Sequence, residues 1–332
     1  MRPAEERPEP MPLATTLTRL LGISAPIIGA PMGAVSGGQL AAAVTRAGGL
    51  GLLGPGYLGT DWIEREFAAA GNTPVGIGFI TWHLADHPEQ LEAALAHKPP
   101  VVMLSFGDPT AIIPPIKAGG AKCIVQVQTV SDAILAARAG ADAIVAQGSE
   151  AGGHGARRGS LALLPAVVDV VAPIPVVAAG GIADGRGLAA ALMLGASGAL
   201  VGTRFFASEE ALGTAAVKQR LVEGKGDETL RTTVFDIVRK IDWPKPYDGR
   251  ALGNSFTREW HGREAALAGK LQQENARYVA AQEKGDIATV VVWASESVDL
   301  IDRIEPAEAI LRRIVADAEK LLRAGPGLIA PR

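Results

Sequence analysis

Between about residues 25 and 205 the chain repeats one pattern of apolar and polar positions. A short run rich in Val and Ile ends in Gly or a polar residue. An Ala- and Leu-rich stretch of helical period follows, and a Gly-containing turn leads to the next run. Alternation of this kind predicts βα units and a parallel sheet. The apolar runs are Ile27–Ala30, Leu50–Leu53, Val75–Phe79, Val101–Ser105, Cys123–Gln128, Ala143–Ala146, Pro175–Ala179 and Ala199–Val201. Helical stretches lie between them, at Gly38–Ala47, Thr60–Ala69, Pro88–Ala96, Thr110–Ala118, Ser131–Ala139, Leu161–Val171 and Asp184–Leu194. Eight strands and seven intervening helices make the count of an α/β TIM (β/α)8 barrel lacking only its last helix. A doubly wound open sheet also alternates, but eight evenly spaced parallel strands favour closure.

After Arg204 the pattern changes. Residues 209–300 are charged, with isolated Trp and Tyr, and Lys240 to Gly249 is rich in turn residues. Arg258 to Ala281 reads as one helix. Pro306 to Arg323 has apolar residues on one face only, at Ile310, Leu311, Ile314, Val315, Ala318, Leu321 and Leu322. That spacing supplies the missing barrel helix, with Pro306 suited to its first turn. The expected organisation is a disordered tail over residues 1–12 and a barrel over 13–225 and 301–325. An inserted, mostly helical lid or substrate subdomain over 226–300 would follow strand eight, across the barrel mouth.

Composition narrows the function classes. With 48% apolar residues in 332, the chain has enough to build a large core. The formal net charge of -3 gives no electrostatic case for a nucleic-acid partner. A single cysteine, Cys123, excludes a disulfide framework and a cysteine-ligated metal centre, and is expected to be buried packing. The first residues are charged and proline-rich, unlike a secretory signal. No apolar stretch reaches the roughly 20 residues of a membrane helix. The cytoplasm is the default location, and no metal site is expected.

Active sites of such barrels form at the C-terminal ends of the strands. Polar residues gather at those ends here: Thr81, Trp82 and His83 after strand three, Ser105 on strand four, and Gln126 and Gln128 on strand five. Strand six runs into Gln147-Gly-Ser-Glu-Ala-Gly-Gly-His154. Gln126 and Gln128 share a face, and a polar ligand would satisfy them, unless neighbouring backbone does. Gly180-Gly181 after strand seven and Gly202-Thr203 after strand eight lie where barrels bind phosphate, though tight turns would also explain them. His154, in a Gly-rich loop, can serve as acid or base; a solvated loop histidine is the bland alternative. Three features carry less weight. Gly49-Leu-Gly-Leu-Leu-Gly54 matches G-x-G-x-x-G but lacks the strand-to-helix passage of a dinucleotide site. His83 and His87 have metal-ligand spacing, but Pro88 implies a helix that starts only there. The Gly phrases at 48–49, 119–120, 140 and 195 read as helix ends.

Ala30-Pro31-Met32, Ala146-Gln-Gly-Ser-Glu-Ala-Gly-Gly-His154, Ala178-Ala-Gly-Gly-Ile182 and Gly202-Thr-Arg-Phe205 together resemble the nitronate monooxygenase family. That family, formerly 2-nitropropane dioxygenase, includes NADH:quinone reductases and flavin-dependent enoyl-ACP reductases. The resemblance covers residues 14 to 210 in register. It implies FMN, with Ala30, Pro31 and Met32 beside the ring system and Gln126, Gln147, Gly152 and Gly153 close by. Gly180, Gly181, Gly202 and Thr203 would hold the phosphate, and His154 would be catalytic or would orient the substrate. Trp82, Ser105, Trp243 and Tyr247 are the candidate substrate pocket. The implied reaction oxidises nitronates, or nitroalkanes, with O2 to a carbonyl compound and nitrite. The alternative is an NAD(P)H-dependent reductase of quinones or enoyl thioesters; a flavin-free phosphate-binding lyase or isomerase is a third. The oligomeric state is open, a homodimer included. Gly78 stands where many relatives carry Asn, and the segments Trp243–Tyr247 and Trp260–Arg263 mark a distinct subgroup.

Overall fold

A computed structural model describes residues 13–329; the expected tail, 1–12, lies outside the described residues. Its strands, in chain order, are β1 (Ile27–Gly29), β2 (Leu50–Leu53), β3 (Gly76–Ile80), β4 (Val101–Ser105), β5 (Lys122–Val127), β6 (Ala143–Gln147), β7 (Gly153–Gly155), β8 (Val176–Ala179), β9 (Gly198–Val201), β10 (Thr229–Thr232) and β11 (Asp248–Leu252). Strands β1 to β6, β8 and β9 close into a parallel barrel, with β9 paired to β1. Successive side chains of a strand alternate between its two sides. One set, including Ile28, Leu52, Met103, Ile124, Val145, Val177 and Leu200, packs as one cluster. Alternate residues such as Ile77, Val102, Leu104, Val125, Ile144 and Val176 pack in another, together with helix residues such as Ile63, Ile116 and Val167.

Helix Ala307–Ala324 completes the ring. It buries Ile310, Leu311, Ile314 and Ala318 and packs against helices Gly185–Met193 and Gly38–Arg46. Close helix–strand approach depends on glycine at Gly51 of β2. A Cβ there would overlap the backbone of Ala41 in helix Gly38–Arg46. Gly51→Ala is therefore expected to cost about 1–3 kcal/mol, as overpacking does. A lower urea midpoint at unchanged slope would show it; an unmoved midpoint would mean the helix yields freely.

Elsewhere the structure departs from the expected elements. The insert contributes strands as well as helices: β10, β11 and β7 form an antiparallel sheet in the order β10-β11-β7. Gly249 pairs with His154 and Arg250 with Gly153, so the insert is stitched to the loop after β6. The stretch Arg258 to Ala281 is not one helix. It belongs to three, Ser255–Trp260, Glu264–Gly269 and Leu271–Glu283, the first break falling at Gly262 with φ +79°. A helix also spans Thr81–Asp86, ahead of Pro88. No helix among the described residues is long and apolar enough to cross a membrane.

Candidate active site

The C-terminal ends of the barrel strands and the insert enclose a cavity of about 810 Å³, near the top of the ~300–1,000 Å³ usual for small-molecule sites. Ala30, Pro31 and Met32 line it after β1, Trp82 after β3, and Ser105 and Gln126 at the ends of β4 and β5. Gln147, Gly152, Gly153 and His154 follow from β6 and its loop, Gly180 and Gly181 from β8, Gly202 and Thr203 from β9, and Trp243 from the insert. Tyr247 is not among the lining residues. It stands behind the wall, edge-on to Phe106 at 5.2 Å and to Trp243 at 6.2 Å between ring centres.

His154 is held on three sides. Its Nε2 lies 2.9 and 3.0 Å from the two carboxylate oxygens of Asp236. Trp243 stacks on the imidazole at 3.6 Å with the planes 8° apart, and Trp293 lies 5.1 Å away. A carboxylate can only accept, so Nε2 carries the hydrogen and Nδ1 is left as the acceptor. Burial pushes the imidazole below its ordinary pKa, against the hydrogen bond and charge of Asp236, which pull it up. The ring is therefore neutral near pH 7 with its second nitrogen unprotonated. The loop before it is pinned by two arginines of the small sheet. Arg231 Nη1 and Arg250 Nε donate to the Ser149 carbonyl at 3.2 and 3.0 Å.

The glutamines divide. Gln128 Nε2 donates to Gln147 Oε1 at 2.8 Å, and Gln147 Nε2 donates to the His154 carbonyl at 3.1 Å. Gln128 is thus satisfied by protein, contrary to the expectation of a ligand for both strand-five glutamines. Gln126 Nε2 is buried without a partner. Gly180 and Gly181 adopt φ of +98° and +73°, and a Cβ on Gly180 would lie 3.0 Å from the Gly148 carbonyl. Thr203 Oγ1 accepts from the Ser295 amide at 3.1 Å, leaving its own hydrogen to donate. Gly152 has a packing reason: a Cβ there would lie 2.6–2.7 Å from the Ala294–Ser295 backbone. Within the G-x-G-x-x-G match, Gly51 and Gly54 make room for backbone, of Ala41 and of Pro31–Met32. The His83 and His87 rings lie 4.3 Å apart. Among the described residues no group of three or more His, Cys, Asp or Glu could hold a metal ion. Cys123 is buried, and burial raises its thiol to about 12.

The family model described as nitronate monooxygenase matches residues 14–78 and 70–317. The chain belongs to the nitronate monooxygenase family. A nitronate monooxygenase of Metarhizium robertsii is 35% identical over 89% of this chain and 91% of its own. FabK from Thermotoga maritima superposes with a TM-score of 0.84 at 32% identity, covering 96% of this chain and all of that one. A nitroalkane oxidase from Streptomyces ansochromogenes superposes with a TM-score of 0.78 at 30% identity, over 94% of this chain and all of that one. The protein is an oxidoreductase of this family, and the family is consistent with a flavin cofactor.

Against the family pattern, Gly78 has a local cause. A Cβ at this position would overlap Cβ and Cγ of the Pro31 ring, so Gly78 is what lets Pro31 sit against β3. Asp236, Tyr57 and Arg239 also reach the site, and sequence patterning does not single them out. Asp236 lies 82 residues from His154. Its only sequence signal is an isolated Asp in the apolar run Val234–Val238.

Proposed function

We propose that the protein binds FMN and oxidises nitronates with O2, giving a carbonyl compound and nitrite. The observation that carries this is the His154–Asp236 pair, facing the same cavity as the side-chain-free turns Gly180-Gly181 and Gly202-Thr203. The residues fit the cofactor. Gln126 Nε2 is a buried donor without a partner, and Gly180 and Gly181 leave their surface free of side chains. Thr203 has a hydroxyl hydrogen to give. Gly180, Gly181, Gly202 and Thr203 would hold the phosphate, as backbone N–H groups and a hydroxyl do. Ala30, Pro31, Met32, Gln126 and Gln147 would lie along the ring system. Bound FMN supplies the electron-transfer chemistry.

The chain's own part is binding, proton handling and exclusion of water. His154 Nδ1 is the free acceptor that takes the α-proton of a neutral nitroalkane. A preformed nitronate needs no deprotonation, whereas a nitronate formed in the site faces the imidazolium that its own α-proton has made. Asp236 fixes the ring and stabilises the imidazolium. Trp82, Phe106, Trp243 and Trp293 wall the site with apolar surface, which strengthens these charge interactions. Atoms balance when two nitronates and one O2 give two carbonyl compounds and two nitrite ions.

The test is the visible spectrum of the purified protein with its chromophore released and identified, followed by O2 uptake on a preformed alkyl nitronate. Bound FMN and nitronate-dependent uptake with matching nitrite are expected. A colourless protein that also fails to take up FMN would remove the reading. Rapid anaerobic bleaching by NADH, without nitronate turnover, would replace it with the reductase alternative.

A further inference from the structure

We propose that the Tyr57 hydroxyl is the hydrogen-bond donor that holds a nitro oxygen of the substrate while His154 takes the α-proton. This rests on the nitronate-oxidising reading of the site. When the proton leaves for His154 Nδ1, the C–H bond breaks and its electron pair becomes the C=N bond of the nitronate. Negative charge then collects on the nitro oxygens, two bonds away from the carbon that faces the imidazole. Those oxygens need a donor of their own, fixed in advance where the charge develops.

Tyr57 is half-buried and lines the cavity. Trp243 Nε1 donates to its hydroxyl at 2.6 Å. An indole nitrogen can only donate, so the phenol oxygen accepts and its own hydrogen is left over. Among the described residues no acceptor takes that hydrogen. The same indole stacks on His154 at 3.6 Å, so one ring joins the base to the phenol oxygen, and all three residues line the cavity. Burial, the largest influence, pushes the phenol above its ordinary pKa, so Tyr57 keeps its hydrogen wherever His154 is a base. Accepting from Trp243 also strengthens the O–H as a donor, because hydrogen bonds in a chain polarise one another. The loop carrying Tyr57 is fastened to the loop carrying Pro31 and Met32. The Gly54 amide donates to the Ser36 carbonyl, and the Gly54 carbonyl accepts from the Ala34 amide, both at 2.9 Å. Gln90 Nε2 donates to the Leu58 carbonyl at 3.1 Å from the other side. The hydroxyl therefore keeps a fixed place relative to the wall where the ring system would lie.

The test compares the FMN-loaded wild type with Tyr57→Phe, which keeps the ring and removes only the oxygen. The substrates are a nitroalkane and its own preformed nitronate. On the nitroalkane the variant should lose about 10²–10³-fold in kcat with KM nearly unchanged, as loss of a donor to a developing oxyanion does. The nitronate arrives already charged, so there the loss should appear as a KM raised about tenfold or more. A Tyr57 that only shapes the wall predicts neither change, and unaltered kinetics on both substrates overturns the proposal. Anaerobic exchange of the α-hydrogen in D2O, followed by NMR, reads the proton step without oxidation. A wild type that exchanges the nitroalkane but yields no nitrite removes the oxidation reading alone. The proposal is then upheld if Tyr57→Phe slows exchange, and overturned if it does not. A wild type that oxidises the nitronate but neither exchanges nor oxidises the nitroalkane leaves the oxidation reading standing and overturns the proposal; one inert in every assay removes both. Should Tyr57→Phe not fold, Trp243→Phe keeps a ring on His154 and takes away the tether of the phenol. A raised KM for the nitronate then supports the donor. A loss on the nitroalkane with that KM unmoved means that Trp243 acts through His154, and overturns it.

Discussion

Replacing His154 by Asn is expected to lower kcat/KM for a neutral nitroalkane by about 10²–10⁴-fold, the usual worth of a positioned general base. The reason is geometric. Nδ1 is the one ring nitrogen not engaged with Asp236, and Asn has no basic nitrogen to put in its place. The same change should cost less on a preformed nitronate, which has no α-proton to lose. Flavin should stay bound, because Gly180, Gly181, Gly202 and Thr203 do not depend on the imidazole for their conformation. Steady-state kinetics on the matched pair, nitroalkane and nitronate, with the visible spectrum as a check of loading, measures all three. Equal turnover of the nitroalkane by wild type and variant would take His154 out of the reaction. An equal loss on both substrates would make it an anion holder rather than a base.

The barrel is legible in the sequence because its signal is repeated and local. Each of the eight runs is short and apolar, and the first seven are each followed by a helical period. Even the distant closing helix, Ala307–Ala324, declares itself through one apolar face. The small sheet is not legible. Strand β7 is Gly153-His154-Gly155, with no alternation to read, and its partners come from residues 248–250. Whatever depends on that sheet is hidden with it. The pairing of Gly249 with His154 helps bring the insert to the site, and Asp236 arrives with the insert. Gln128 misleads for a related reason: its partner, Gln147, sits on the neighbouring strand, and strand adjacency is a property of the closed barrel. Gly78 reads as a lost polar contact in sequence. Only the fold shows the Pro31 ring in the space a side chain would need.

Asp236→Asn should separate positioning from scaffolding, because it moves a pH profile in a defined direction. Burial is the main influence on His154 and lowers its pKa; the hydrogen bond and charge of Asp236 are the main opposing ones. Asn removes the charge, so the imidazole pKa falls further below its ordinary value. The acid limb of kcat/KM for a neutral nitroalkane, which reports the base in the free enzyme, therefore moves to lower pH. At the plateau the rate should fall, by about 10²–10⁴-fold if the amide turns its NH2 toward Nε2 and drives the hydrogen to Nδ1, as the wrong tautomer does in a catalytic triad. Asp236→Glu should restore part of the rate and return the limb toward its original position. A purely structural Asp236 predicts otherwise: a less stable protein whose remaining activity has the wild-type pH limb. A limb that moves to higher pH would mean that removing the carboxylate mainly opens His154 to water. The burial that depresses the imidazole would then depend on this pair in addition to the β11–β7 pairing that stitches the insert to the loop after β6.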